Sequence, residues 1–93
     1  MQYRTVAENP SFEEDLDALK GEYPYIYDVK DAVCWELCRR PRAYDLLPDE
    51  TSIRIYKFNS EKTPTFRVVY KFDEGEDPRV FLLSISVIDW TAE

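Results

Sequence analysis

An α+β fold in two layers, an N-terminal helical hairpin laid on a three- to four-stranded antiparallel sheet, is what this 93-residue sequence predicts. Three observations carry that expectation. Residues 53–58 and 65–71 alternate with a period near two and are rich in β-branched and aromatic side chains, as strands with two different faces are. Residues 79–88 form a longer apolar run of the same kind, and residues 11–37 repeat their apolar positions at helical spacing instead. Ninety-three residues support one core and not two, so residues 1–93 are expected to be a single domain.

Residues 2–7 suit a short first strand, interrupted at Asn9-Pro10. Ser11 and Glu14 have the spacing of a capping box, acids crowd the first turn, and Phe12, Leu16 and Leu19 make an apolar stripe. Gly21 suits the position just past the last turn, which predicts a helix over 11–20. A second stripe, Ile26, Val29, Val33 and Leu37, widened by Ala32, Cys34 and Trp35, predicts a second helix that Pro41 ends. Trp35 is expected in the core on this reading. Pro48 and Asp49 supply turn chemistry in an irregular crossing over 41–52, and Asn59–Pro64 turns the chain between the two alternating arms. After an acidic turn at 73–77, Phe81, Leu83, Ile85 and Val87 are expected to face the helices, with Ser84 and Ser86 on the other side.

The net charge of −7 weighs against a nucleic-acid binder only as an average. Residues 1–38 carry −6, residues 39–71 carry +4 and residues 72–93 carry −5. A local field governs contact with a polyanion more than net charge does. If the apolar sides of the strands pack on the helices, the open side presents Arg54, Tyr56, Arg67 and Lys71 beside Ser84 and Ser86. That would be a small anion-binding platform. The plainer alternative is a solvated sheet face whose cations discourage edge aggregation. Arg39, Arg40 and Arg42 could touch phosphate, but a helix C-terminus also favours cations there.

Cys34 and Cys38, with no histidine and no second cysteine pair, read as buried free thiols and not as a zinc site. The run 73–77 lacks the spacing of a calcium loop. Neither a metal nor a cofactor is expected. No run of about 18 apolar residues is present, so no membrane span is expected. The first eight residues lack a signal peptide's apolar core, so a cytoplasmic protein is expected. No Ser/His/Asp set, Cys/His pair or glycine-rich phosphate loop argues for unrelated enzyme chemistry.

The segment order, with F-E-E-D-L-D-A-L at 12–19, R-R-P at 39–41, I-R-I-Y-K-F at 53–58, F-R-V-V-Y at 66–70 and V-F-L-L-S-I-S-V at 80–87, resembles the RelE/ParE superfamily of toxins from toxin–antitoxin pairs. The resemblance covers nearly the whole chain. It implies a ribosome-dependent messenger RNA endonuclease, with Arg54, Tyr56 and Arg67 as catalytic groups and Lys57, Lys71, Arg39 and Arg40 as RNA contacts. The partners it implies are an antitoxin protein and, for an active enzyme, the ribosome or its message; a homo-oligomer stays open. Catalytic members place a basic residue and then a tyrosine or histidine after the last strand, and Ile88–Glu93 has neither. The alternative within the same fold is a non-catalytic module that binds an antitoxin-like peptide or gyrase.

Overall fold

The computed structural model describes residues 4–48, 52–60 and 63–88. Expectations for residues 2–3, Asp49 and residues 89–93, and for Glu61 and Lys62 in the hairpin turn, lie outside those residues. In chain order the elements are β1 (Thr5–Glu8), α1 (Pro10–Lys20), α2 (Ile26–Leu37), a 3-10 turn (Pro41–Ala43), β2 (Ile53–Ser60), β3 (Thr63–Asp73) and β4 (Arg79–Ile88). The four strands form one sheet in the order β1-β4-β3-β2, with both helices on one face.

The strands β2, β3 and β4 make the expected antiparallel meander, but β1 pairs with β4 in parallel, so the sheet is mixed. The intervening helical hairpin gives the chain the length a parallel return needs. The core is Phe12 and Leu16 from α1, Ile26, Val29, Val33 and Leu37 from α2, Phe66, Val68 and Tyr70 from β3, and Val80, Leu82 and Ile85 from β4. Both predicted helical stripes therefore face the core, with Leu19 partly buried, and of the four β3 residues that alternation assigns to one side Phe66, Val68 and Tyr70 are buried and Phe72 partly so.

Two one-residue bulges decide the rest. Between the pairs Ser60↔Thr63 and Phe58↔Phe66, β2 advances two residues and β3 three, so the extra residue falls at Pro64–Thr65. Proline has no N–H to give a ladder, which is why bulges tolerate it. Between Val69↔Ser84 and Tyr70↔Leu82, β4 carries Leu83 as its extra residue. A one-residue slip turns every following side chain to the opposite face. Leu83 and Phe81 are thus not core residues; Val80 and Leu82 face the helices before the bulge, and Ile85 and Val87 after it.

α1 serves the β4 bulge. Ser11 Oγ donates to the Leu83 carbonyl at 2.6 Å, and Asp15 Oδ2 accepts from the Ile85 amide at 3.1 Å. These two side chains sit one helical turn apart and satisfy backbone groups beyond the end of β1. The expected capping box is accordingly absent: Asn9 is the N-cap, with no side-chain cap bond, and Pro10 opens the helix. Gly21 has φ −64° and ψ −39°, so it continues the right-handed geometry instead of adopting the left-handed cap.

The outer edge of β2 is partly covered. The Leu47 amide donates to the Ile53 carbonyl at 2.8 Å and the Ile55 amide to the Asp45 carbonyl at 2.9 Å, so residues 45–47 run along β2 like a fragment of a fifth strand. Tyr70, fully buried, donates its hydroxyl to the Pro41 carbonyl at 2.5 Å and pins the 3-10 turn to β3. No helix is long and apolar enough to cross a membrane.

Candidate nucleic-acid interface

Register sorts the strand side chains into rows across the face that the helices leave open. Lys57, Arg67 and Ser86 form one row over β2, β3 and β4; Ile55, Val69 and Ser84 form the next; Ile53, Lys71 and Phe81 form the third. Lys57, Arg67 and Lys71 are exposed, while the apolar members of the rows are half-buried. None of the three cations is in an ion pair among the described residues. Lys71 extends over the Phe81 ring, with Nζ 5.7 Å from its centre. Beyond it the field reverses: Arg79 is held by Asp77 at 2.6 Å and lies opposite Asp73. A groove of about 370 Å³ opens beside Lys57, between Ile55 and the segment Tyr44–Leu46.

Arg54 and Tyr56, expected on this face, are on the other one. Arg54 pairs with Tyr70 and Tyr56 with Val68, whose side chains are buried beneath the helices. The physical reason is the bulge at Pro64–Thr65. A simple hairpin continued from Ser60↔Thr63 would set Tyr56 opposite Arg67; the extra residue sets Lys57 there. Arg54 Nη1 donates to the Tyr44 carbonyl at 2.5 Å, and its guanidinium lies 5.5 Å from the Phe72 ring centre. The Tyr56 ring packs 4.5 Å from that of Tyr44. Burial, and then the nearby Glu36, push the Tyr56 phenol above its ordinary pKa, against Arg40 pulling the other way. A general base needs the opposite shift.

Arg39 and Arg40 belong to a second basic centre, at the C-terminal end of α2. Arg40 is paired with Glu36 at 3.0 Å, one turn back on the helix. The Arg39 guanidinium stacks on Trp35, 4.1 Å from the ring centre, and Trp35 is 59% exposed instead of buried in the core. Glu36 also accepts the Tyr44 hydroxyl; burial works against its charge, but that bond and Arg40 hold its carboxyl below the usual value. Arg4 grips Glu74 with both Nε at 2.7 Å and Nη2 at 2.6 Å, and that bond above all lowers the Glu74 pKa.

Cys34 and Cys38 are free and half-buried, and burial pushes the Cys34 thiol up to about 11. Among the described residues no group of three or more His, Cys, Asp or Glu could hold a metal ion. The residues that sequence reasoning missed are Phe81, at the end of the open face, and Arg4, in the second basic centre. Lys57 was identified as a candidate without the strand partner that gives it meaning. The signal for that partner was Pro64, a residue a regular ladder accommodates poorly.

No protein-family model matches the sequence. No curated protein matches it either. Solved structures do. A chain of the toxin–antitoxin complex RelBE2 from Mycobacterium tuberculosis superposes with a TM-score of 0.72 at 22% identity, covering 95% of this chain and 100% of that one. A mutant of the Escherichia coli toxin RelE in the free state superposes with a TM-score of 0.66 at 19% identity, covering 96% of this chain and 86% of that one. The fold is that of RelE, as the sequence resemblance implied.

Proposed function

We propose that this chain is the toxin of a toxin–antitoxin pair and that its open sheet face holds the phosphates of messenger RNA on the ribosome. The observation that carries the reading is the row Lys57–Arg67–Ser86 on a RelE fold. Directly opposed residues in an antiparallel pair have Cα atoms about 4.5–5.5 Å apart, close enough for an ammonium and a guanidinium to hold one phosphate between them. Lys71 stands four residues further along β3, about 13 Å at the rise of a strand, which places it over another phosphate of an extended chain. Ile55 and Val69 lie between these cations, and Phe81 stands beside Lys71; together they offer bases an apolar surface.

In the cleavage step the 2′-hydroxyl oxygen attacks phosphorus, the bond from phosphorus to the 5′ oxygen breaks, and a cyclic phosphate and a 5′-hydroxyl result. Negative charge gathers on the non-bridging oxygens as the bond forms. Fixed cations lower that barrier because they bind the charge more strongly at the transition state than before it. Lys57 and Arg67 are assigned this task; water takes the 2′-hydroxyl proton, and water returns a proton to the leaving 5′ oxygen. Arg54 and Tyr56 take no part, since their side chains lie on the other face.

The test is expression in bacterial cells with a reporter message and purified ribosomes in parallel. Growth arrest and ribosome-dependent cleavage, both lost in a Lys57→Met/Arg67→Met double variant that stays folded, are the expected results. Two neutralised phosphates also predict a slope near −1.4 for log K of single-stranded RNA binding against log salt, at about −0.7 per phosphate. Free growth with intact messages overturns the proposal. A second reading, a non-catalytic module for an antitoxin-like peptide, is favoured by one feature: Ile53, Ile55, Val69 and Phe81 make the same face apolar around its cations. Capture of an antitoxin helix by the double variant, with no cleavage by the wild type, would support that reading. Gyrase inhibition with intact messages would support the ParE-like form of it.

A further inference from the structure

Four arginines meet where β1 begins and α2 ends. Arg4, Arg39, Arg40 and Arg42, with Pro41 and Ala43, line a cavity of about 320 Å³. Such a volume lies at the lower end of the range, about 300–1,000 Å³, in which proteins hold small organic ligands. The cations outnumber the carboxylates beside them, which are Glu36 and Glu74. The charge is also unequally shared. Glu74 is already committed to Arg4, so Arg42 reaches its Oε2 only at 3.4 Å and stays 66% exposed. Arg4 is held rigidly, because its Nη1 also donates to the carbonyls of Cys38 and Arg39 at 3.4 Å. Arg40 belongs to Glu36.

Arg39 is the group without an explanation. Its Nε is buried and has no hydrogen-bond acceptor among the described residues, and no carboxylate pairs with it there. Buried donors are nearly always satisfied, because stripping water from an N–H without returning an acceptor is unfavourable. The favourable interaction of cations with a helix C-terminus accounts for arginines at 39 and 40. It does not account for a buried Nε without an acceptor, nor for Arg4 and Arg42 arriving from other parts of the chain.

We propose that this cavity is a site for a phosphate ester of a nucleoside, held by Arg39 and Arg42 with Arg4 and Arg40 as its fixed walls. A phosphate oxygen supplies the acceptor that Arg39 lacks, and two guanidinium forks match a tetrahedral oxyanion. The nucleoside part follows from Trp35, which is 59% exposed and carries on its ring the Arg39 that lines the cavity, so it offers a base an aromatic surface beside that arginine. The site is separate from the open-face row: it is lined by Arg4 and residues 39–43, whereas Lys57 and Arg67 face each other across β2 and β3. The proposal does not rest on the toxin reading.

One chemistry has two sources here, a free nucleotide or one unit of an RNA strand. The full chain is titrated with adenosine monophosphate and, in an Arg67→Gln background that weakens the open face, with a single-stranded RNA trinucleotide. Arginine Nε–Hε NMR signals report the site directly. The expected result is saturable binding that shifts the Arg39 signal and weakens at least tenfold in Arg39→Gln and in Arg42→Gln. Arg42 is largely exposed, so its variant tests the site even if Arg39→Gln folds poorly. Binding of the mononucleotide on these terms assigns a free nucleotide; binding of the trinucleotide alone assigns a strand. Absence of saturable binding by both probes, or binding indifferent to both variants, overturns the proposal. Loss of growth arrest in Arg67→Gln with the Arg39 signal still responding separates this site from the one on the open face.

Discussion

Replacing Arg54 by methionine should destabilise the fold, whereas the same change at Arg67 should not. The sequence alone gives the two residues the same role, so the pair tests the register of β2 against β3. Arg54 loses a charge-assisted hydrogen bond to the Tyr44 carbonyl, 2.5 Å long in the native fold, a kind of bond whose removal costs about 1.5–3 kcal/mol. It also loses its place over Phe72, for which about 0.5–1 kcal/mol is usual. Methionine keeps most of the apolar stem, so little packing is removed with the charge. At about 4–8 °C per kcal/mol for a domain of this size, a loss of even about 2 kcal/mol lowers Tm by roughly 8–16 °C. Arg67 is exposed and makes no ion pair among the described residues, so Arg67→Met should stay within about 0.5 kcal/mol of wild type. Thermal and urea unfolding of the two variants give the comparison. Equal losses, or an Arg54→Met protein that melts with the wild type, would refute the placement of β2 and with it the open-face row.

Tyr56→Phe should leave growth arrest and RNA cleavage within about twofold of wild type, because burial raises its phenol and turns it from the open face; abolished cleavage would reinstate it as a base. The Glu74 carboxyl is held below its ordinary pKa by Arg4, so its contribution to stability is complete above the unfolded carboxylate pKa and disappears as pH falls through the folded one. Wild type and Glu74→Gln should therefore differ in urea midpoint at pH 7, with the gap closing as pH falls below the ordinary carboxylate range; a gap that widens in acid would contradict the Arg4 pairing. Cys34, pushed up to about 11, should react with iodoacetamide at pH 8 roughly a hundredfold more slowly than an open thiol, measured by peptide mass spectrometry. Labelling at the unfolded rate would mean that the face of α2 carrying Cys34 is not packed against the core.

How much of this was legible beforehand depends on the kind of information each element needed. The stripe Ile26, Val29, Val33 and Leu37 and the alternation Phe66, Val68 and Tyr70 were readable because burial leaves its period in the chain itself. Trp35 was misplaced because a helix stripe has soft margins, and an aromatic at its border can carry an arginine as readily as a core contact. The site was half legible. Arg67, Lys71, Ser84 and Ser86 share the open face as expected, while Lys57 replaces Arg54 and Tyr56.

By itself the amino-acid order determined which side chains within β2, β3 and each helix lie together, and hence the two-layer α+β class. Tertiary structure alone decided which side of one strand faces which side of the next. Periodicity fixes a strand's faces relative to each other, but their relation to a neighbour is set by backbone pairing. Pro64–Thr65 and Leu83 each insert one residue into that pairing, and a single step of a period-two pattern exchanges inside for outside. The parallel seat of β1 and the meeting of Arg4 with Arg39 and Arg42 have the same origin: they join residues far apart in the chain, whose proximity no local pattern records.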